Sequence, residues 1–191
     1  APGDVDGDGL ADLAAAVPSG DEVVVFRFVG GSFAAGLSVP VSGTPRHVAL
    51  GDVDGDGRTD LVVATSIGLV WVRQTATLTF GTPVNVSGAA PDPADLGLAD
   101  LDRDGRLDVV HLTAATGQLR VFFGESSGFS APVTTTVGDV SNPGTSLALA
   151  DLDRDGDLDV VCGTGGTGAV VPVLTSRPQR PAPALDAPRL L

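Results

Sequence analysis

Lysine, methionine and tyrosine are absent from this 191-residue chain, and it holds one cysteine and one tryptophan. With Cys162 alone, no disulfide can form within the chain, so a protein working outside the cell needs another staple, of which bound metal is one. All 11 basic residues are arginine against 24 acidic ones, a formal net charge of −13. That balance repels nucleic acid and anionic membrane surfaces at long range, so neither is an expected partner. No apolar run approaches the roughly 20 residues that span a bilayer, and no charged-then-apolar leader opens the chain, so membrane insertion is not expected. The chain starts at Ala1 rather than Met, as expected where an upstream segment has been removed. No convincing amphipathic helix is present.

What is abundant is glycine (26), proline (14) and a hydrophobic fraction of 42% made almost wholly of Val, Ala and Leu. Such a composition supports a packed interior without aromatic bulk and reads as many short strands joined by tight turns.

Four acidic loops recur: "DVDGDGLAD" from Asp4, "DVDGDGRTD" from Asp52, "DLDRDGRLD" from Asp100 and "DLDRDGDLD" from Asp151, whose starts are 48, 48 and 51 residues apart. A fixed period of this length marks stacked or radially arranged units. Each loop is followed by an apolar strand ("LAAAV", "LVVAT", "VVHLT", "VVCGT") and then a second one ("EVVVFRFV", "LVWVRQ", "QLRVFF", "AVVPVL"). In the first three units a turn with Phe33, Phe80 or Phe129, expected to act as a packing plug, leads to a third strand; "HVALGD", "DLGLAD" and "SLALAD" precede loops two to four. The unit is therefore four antiparallel strands with the acidic loop as the hairpin between the first two. Four short strands in about 48 residues is the size of a β-propeller blade. A β-sandwich would also explain the strands, but not one loop recurring in register. The expected fold is all-β, a propeller of four four-stranded blades over 1–43, 44–91, 92–142 and 143–186, within a single repeat domain spanning 1–191.

Asp falls at loop positions 1, 3, 5 and 9, with Gly at position 6. Alternate spacing lets carboxylates converge on one point as the backbone curls, and Gly permits the sharp turn. Candidate metal ligands are Asp4, Asp6, Asp8 and Asp12; Asp52, Asp54, Asp56 and Asp60; Asp100, Asp102, Asp104 and Asp108; and Asp151, Asp153, Asp155 and Asp159. Position 7 would offer only its carbonyl oxygen, so Leu10, Arg58, Arg106 and Asp157 are all admissible there. Hard oxygen donors without His or Cys select Ca²⁺ over Zn²⁺ or copper, and Mg²⁺ accepts so many protein ligands poorly. Four bound Ca²⁺, one per loop, would move the formal charge from −13 to −5. Asp and Gly are also ordinary turn formers, but four nine-residue matches at near-constant spacing outweigh that reading.

The D-x-D-x-D-G-x-x-D loop followed by a "DLVV"-type strand resembles the FG-GAP/VCBS repeat family, known from integrin α-subunit propellers and many secreted bacterial proteins. The resemblance covers nearly the whole chain and implies Ca²⁺ bound in the hairpin between a blade's first two strands. The family's Phe-Gly element survives literally only at residues 80–81. Such propellers commonly have seven blades, so a four-bladed ring, a piece of a larger propeller and an assembly completed by a partner all stay open. The first loop is preceded only by "APG", whereas "TPRHVALGD" leads into the second. Joining the C-terminal "APRLL" to "APGD" reproduces that pattern, so 187–191 is expected to close the ring as a strand of the first blade, or to be exchanged with a neighbouring molecule in self-association. The competing reading of "SRPQRPAPALDAPRLL" is a Pro-rich tail.

His47 and His111 fall on strands of different units, with no triad-like neighbours, and are read as strand or surface residues. Cys162 replaces Ala64 in its unit and reads as a small buried hydrophobe. Trp71 faces opposite to Val70 and Val72, toward an inter-blade surface or solvent. No separate constellation of acid, base and nucleophile stands out, so no enzyme is expected. The expected function is a calcium-stabilised extracellular or cell-surface propeller serving as a structural or protein-interaction module. A carbohydrate-binding propeller is second, and a polysaccharide-active enzyme third.

Overall fold

The computed structural model describes residues 1–137, 144–152, 154–165, 172–175 and 189–190, the last two stretches as backbone. The first sheet holds β1 (Pro2–Gly3), β2 (Asp12–Val17) and β3 (Glu22–Phe26); a small hairpin of β4 (Phe28–Val29) and β5 (Ser32–Phe33) precedes its last strand, β6 (Leu37–Pro40). The second holds β7 (Pro45–Gly51), β8 (Asp60–Thr65) and β9 (Gly68–Val72), then the hairpin of β10 (Gln74–Ala76) and β11 (Thr79–Phe80), and β12 (Val84–Asn85). The third repeats the plan with β13 (Pro93–Ala99), β14 (Asp108–Thr113), β15 (Gln118–Phe122), the hairpin of β16 (Gly124–Glu125) and β17 (Gly128–Phe129), and β18 (Val133–Thr136). In the fourth, β19 (Gly144–Ala150), β20 (Asp159–Thr164), β21 (Pro172–Thr175) and β22 (Arg189–Leu190) pair in that order. All pairings are antiparallel, and every acidic loop joins the first two strands of its sheet. No helix among the described residues is long and apolar enough to cross a membrane.

One expected strand is corrected by the fold. The run "EVVVFRFV" is not one strand: it breaks at Arg27, between β3 and β4. Of the expected closing strand, residues 189–190 are described as β22, which pairs with β21, Pro172 opposite Leu190 and Val173 opposite Arg189; on the first sheet Pro2–Gly3 lie opposite Leu13 and Asp12.

The chain forms two compact units, Ala1–Pro91 and Asp92–Leu191, each with two four-stranded sheets. In the first unit, Ala14, Val23, Val25 and Val39 of one sheet pack against Leu61, Val63, Val70 and Val72 of the next. These residues alternate along their strands, as the two-residue side-chain period of a strand requires. In the second unit, Val110, Leu112, Leu119 and Val121 pack with Val160 and Cys162. Cys162 is fully buried as expected, and burial pushes its thiol up to about 12, which leaves it inert. The turn phenylalanines do not share one role: Phe80 packs against the core of the first unit, whereas Phe33 is half-exposed and stacks edge-on against Phe28 at 5.3 Å.

Glycine stands at two places where the third and fourth sheets meet. A Cβ at Gly97 would lie 3.0 Å from Leu147 and from Leu149, and one at Gly144 would lie 2.6 Å from the buried Leu112. Gly144→Ala is therefore expected to cost about 1–3 kcal/mol by overpacking and Leu112→Ala about 2–5 kcal/mol by cavity formation. The double variant should cost less than the sum, because the truncated leucine leaves room for the new methyl group. Urea unfolding of the three variants measures this; strict additivity would contradict the packing described.

Candidate metal centres

Each acidic loop is wound by its own carboxylates. The position-1 aspartate folds over the turn: Asp4 accepts the N–H of Gly7 at 2.7 Å and of Gly9 at 2.9 Å, and Asp52 those of Gly55 and Gly57 at 2.9 and 2.8 Å. Asp100 likewise accepts from Asp104 and Gly105, and Asp151 from Gly156. One oxygen of position 3 then accepts the N–H of position 5, as Asp6 does from Asp8, Asp54 from Asp56 and Asp102 from Asp104. One oxygen of position 5 accepts the N–H of position 7: Asp8 from Leu10, Asp56 from Arg58, Asp104 from Arg106 and Asp155 from Asp157. This is the Asx-turn chemistry that makes Asp a turn former, used several times in succession.

The curl needs two left-handed residues. Position 6 is one, with φ of 85° at Gly9 and 82° at Gly57, and position 4 is the other, with φ of 79° at Gly7 and 76° at Gly55. Arg103 and Arg154 hold position 4 in the last two loops at φ of 57° and 63°. A side chain there costs roughly 1–2 kcal/mol, a strain the sequence reading did not anticipate.

These turns bring together carboxylate oxygens of Asp4, Asp6 and Asp8, of Asp52, Asp54 and Asp56, and of Asp100, Asp102 and Asp108, each set lying within 4.8 Å. Asp104 is outside the third set; its carboxylate accepts from the Arg106 guanidinium at 3.1 Å, as Asp56 does from Arg58 at 2.7 Å. Asp153 lies outside the described residues, so the fourth loop is represented by Asp151, Asp155, Asp157 and Asp159.

The ninth position has a role that spacing alone did not reveal. Asp12, Asp60, Asp108 and Asp159 are buried at the first residue of the second strand. One oxygen accepts the N–H of loop position 2: Val5 at 2.9 Å, Leu101 at 2.8 Å and Leu152 at 2.9 Å, with Val53 donating likewise to Asp60. In the first three loops the other oxygen accepts the N–H of the residue where the hairpin begins: Phe28 at 2.8 Å, Gln74 at 2.7 Å and Gly124 at 2.8 Å. Asp12 and Asp60 thus brace the loop, and Asp108 both braces its loop and joins the third oxygen set. The signal available in the sequence was the Asp that opens the strand after each loop; its second partner, 14 to 16 residues on, is set by the fold. Trp71 is buried, and its indole N–H donates to Asp60 at 3.0 Å.

Arginines line the loops. Arg27 pairs with Asp6, Arg73 with both Asp54 and Asp56, and Arg103 with Asp157. Desolvation works to raise Asp56, but the Arg58 N–H and the Arg73 and Arg58 guanidinium groups outweigh it and hold the carboxyl below its usual range. Burial pushes Asp60 and Asp108 up to about 6 against the pull of their N–H donors. A carboxyl raised in the folded state binds its proton more tightly there than in the unfolded chain. Its contribution to stability is complete below pH ~4 and is lost as pH rises through about 6. In chelator, these two groups should therefore lower the melting temperature between pH 4 and 7; a metal-free chain whose stability does not fall across that window would contradict this assignment.

The profile of the FG-GAP-like repeat matches the chain three times, over residues 4–63, 52–111 and 112–162. No curated protein sequence matches it significantly. Among solved structures, a lectin from Agrocybe aegerita, described for recognition of non-reducing terminal N-acetylglucosamine, aligns over 100% of this chain and 51% of its own at 20% identity, with a TM-score of 0.65. BBS1N, solved in complex with ARL6DN, aligns over 100% of this chain and 56% of its own at 13% identity, with a TM-score of 0.63. The chain thus spans about half the length of these neighbours, whose fold is β-propeller-like. The repeated four-stranded sheets, the acidic hairpin common to them and matches running from Asp4 to Cys162 together establish that the chain belongs to the FG-GAP-like repeat family.

Proposed function

We propose that this chain is a calcium-binding, non-enzymatic β-propeller module that works outside the cell or at its surface as a structural or protein-interaction element. The observation that carries the reading is the convergence of three carboxylates in the same hairpin of successive sheets. Like charges about 4 Å apart repel by about 1 kcal/mol per pair even in water, so a loop that gathers them gains from a counter-cation. The donor set is all oxygen, which fits Ca²⁺. Asp4, Asp6, Asp8, Asp12, Asp52, Asp54, Asp56, Asp60, Asp100, Asp102, Asp104 and Asp108 would hold ions, with the carbonyls of Leu10, Arg58 and Arg106 as further donors. Asp151, Asp153, Asp155, Asp159 and the carbonyl of Asp157 complete the proposed fourth site. Bound calcium supplies charge neutralisation and no reaction step. The ninth-position aspartates keep the loop aligned with its sheet, and millimolar calcium outside cells suits sites of this exposed kind.

Saturating calcium should raise the melting temperature, each site adding about 2.7 kcal/mol at a concentration 100-fold above its dissociation constant. Thermal melts followed by circular dichroism, with and without chelator, measure this, and identical melts would contradict calcium binding. Asp54→Ala should remove one equivalent of bound calcium in a calorimetric titration and leave the others in place.

A second reading, glycan binding, is supported by a polar cleft of about 290 Å³ in the first unit, lined by Asp4, Asp6, Arg58, Thr59, Gln74 and Thr77 among others. Its walls are tied together: the Thr59 hydroxyl donates to the Asp4 carbonyl at 2.6 Å and the Gln74 amide to the Val5 carbonyl at 2.9 Å. Carboxylates, hydroxyls and a guanidinium lining the cleft suit sugar hydroxyls. Binding on a glycan array in calcium buffer that is lost on Arg58→Ala supports it, and an array without binders removes it.

A further inference from the structure

Two of the acidic loops receive a cation from the strand break of their own blade, in the second loop beside the Arg58 guanidinium already on Asp56. Arg73 stands between β9 and β10, immediately before Gln74, whose N–H is held by the buried Asp60 carboxylate at 2.7 Å. That pinned backbone turns the Arg73 side chain onto its own blade's loop, where Nε meets Asp54 and Nη2 lies 3.0 Å from Asp56. Arg27 holds the equivalent place in the first blade, immediately before Phe28, and its Nη1 lies 3.2 Å from Asp6. In the third blade that place belongs to Phe123, immediately before Gly124, and its side chain is buried. The same backbone brace therefore presents a guanidinium to two loops and an apolar ring in a third.

We infer that Arg73, and Arg27 by the same geometry, is an internal counter-ion that calcium must displace from the acidic loop. The guanidinium bonds Asp54 and Asp56, two of the three carboxylates that converge in the second loop. A divalent ion entering there meets a positive charge and must take over oxygens already engaged. Arg73 is half-exposed, so it can swing into water at small cost. Calcium binding at this loop becomes an exchange of one cation for another. The metal-free loop is relieved of part of its self-repulsion, and the loaded loop binds more weakly than its carboxylates alone would allow. A unit charge about 6 Å from a divalent ion in water-like surroundings changes affinity about tenfold, which sets the size of the effect.

This inference rests on the calcium reading, and the second loop can be observed by itself. Trp71 is the only tryptophan, tyrosine is absent, and the indole donates to Asp60, the ninth residue of that loop. Tryptophan-sensitised terbium luminescence therefore reports the second loop, and calcium affinity there is read by competition. Arg73→Gln is expected to tighten calcium about tenfold. It should also lower the melting temperature in chelator and enlarge the calcium-dependent rise. Arg46→Gln removes the same charge from the far end of β7, roughly 17 Å along the strand, and should leave the affinity at its wild-type value. Arg27→Gln, read by the calcium-dependent thermal shift, provides the same test in the first loop. A wild-type chain that binds calcium, with Arg73→Gln unchanged or weakened, overturns the counter-ion role alone. A wild-type chain with neither sensitised luminescence nor a calcium-dependent thermal shift overturns the calcium reading and this inference together.

Discussion

A buried carboxylate at the start of each second strand is the interaction on which the repeat depends. Burying an aspartate is costly unless its oxygens are hydrogen-bonded, and both oxygens of Asp12, Asp60 and Asp108 accept backbone N–H groups. One donor belongs to the acidic loop and the other to the point where the blade's third strand gives way to a small hairpin. Neither segment can shift without leaving a buried N–H or a buried charge unsatisfied. The brace thus ties the small hairpin to the core strands of its sheet.

With its entry held in this way, the loop becomes a fixed display of carboxylates. Position 1 spends both oxygens, and positions 3 and 5 one each, on backbone N–H groups within the turn, which orients the carboxylates without any ion. The apolar residue at position 2 anchors the turn: Val5, Val53 and Leu101 are buried beneath their loops, and Val5 and Leu101 belong to the cores of their units. Preorganisation of this kind lowers the ordering cost of binding a cation, and the arginines set beside the loops act on the same charge balance.

Much of the repeat was legible in the sequence because its determinants are local. The loop spacing, the strand that follows it and the hairpin connection appear where the residues place them, and the alternation of Val with smaller residues marks the packed faces. Glycine at position 6 was readable because a left-handed turn leaves little choice. Other features were hidden by the same locality. Arg103 and Arg154 adopt the position-4 turn conformation without being glycine, held by the loop's hydrogen bonds. The break at Arg27 was invisible because Phe and Val on either side are good strand formers, and a carboxylate 16 residues upstream decides it.

The amino-acid sequence by itself determined four strand-loop-strand units, their period, their family and the charge stored in the loops. Turn chemistry and side-chain alternation act between residues close in the chain. Only the tertiary structure decided which carboxylates face one another, which brace the sheet, where Arg73 and Arg27 point, and that residues 189–190 pair with β21. Those outcomes turn on hydrogen bonds and charge pairs between segments distant in the chain. Their partners are chosen by burial and geometry rather than by spacing.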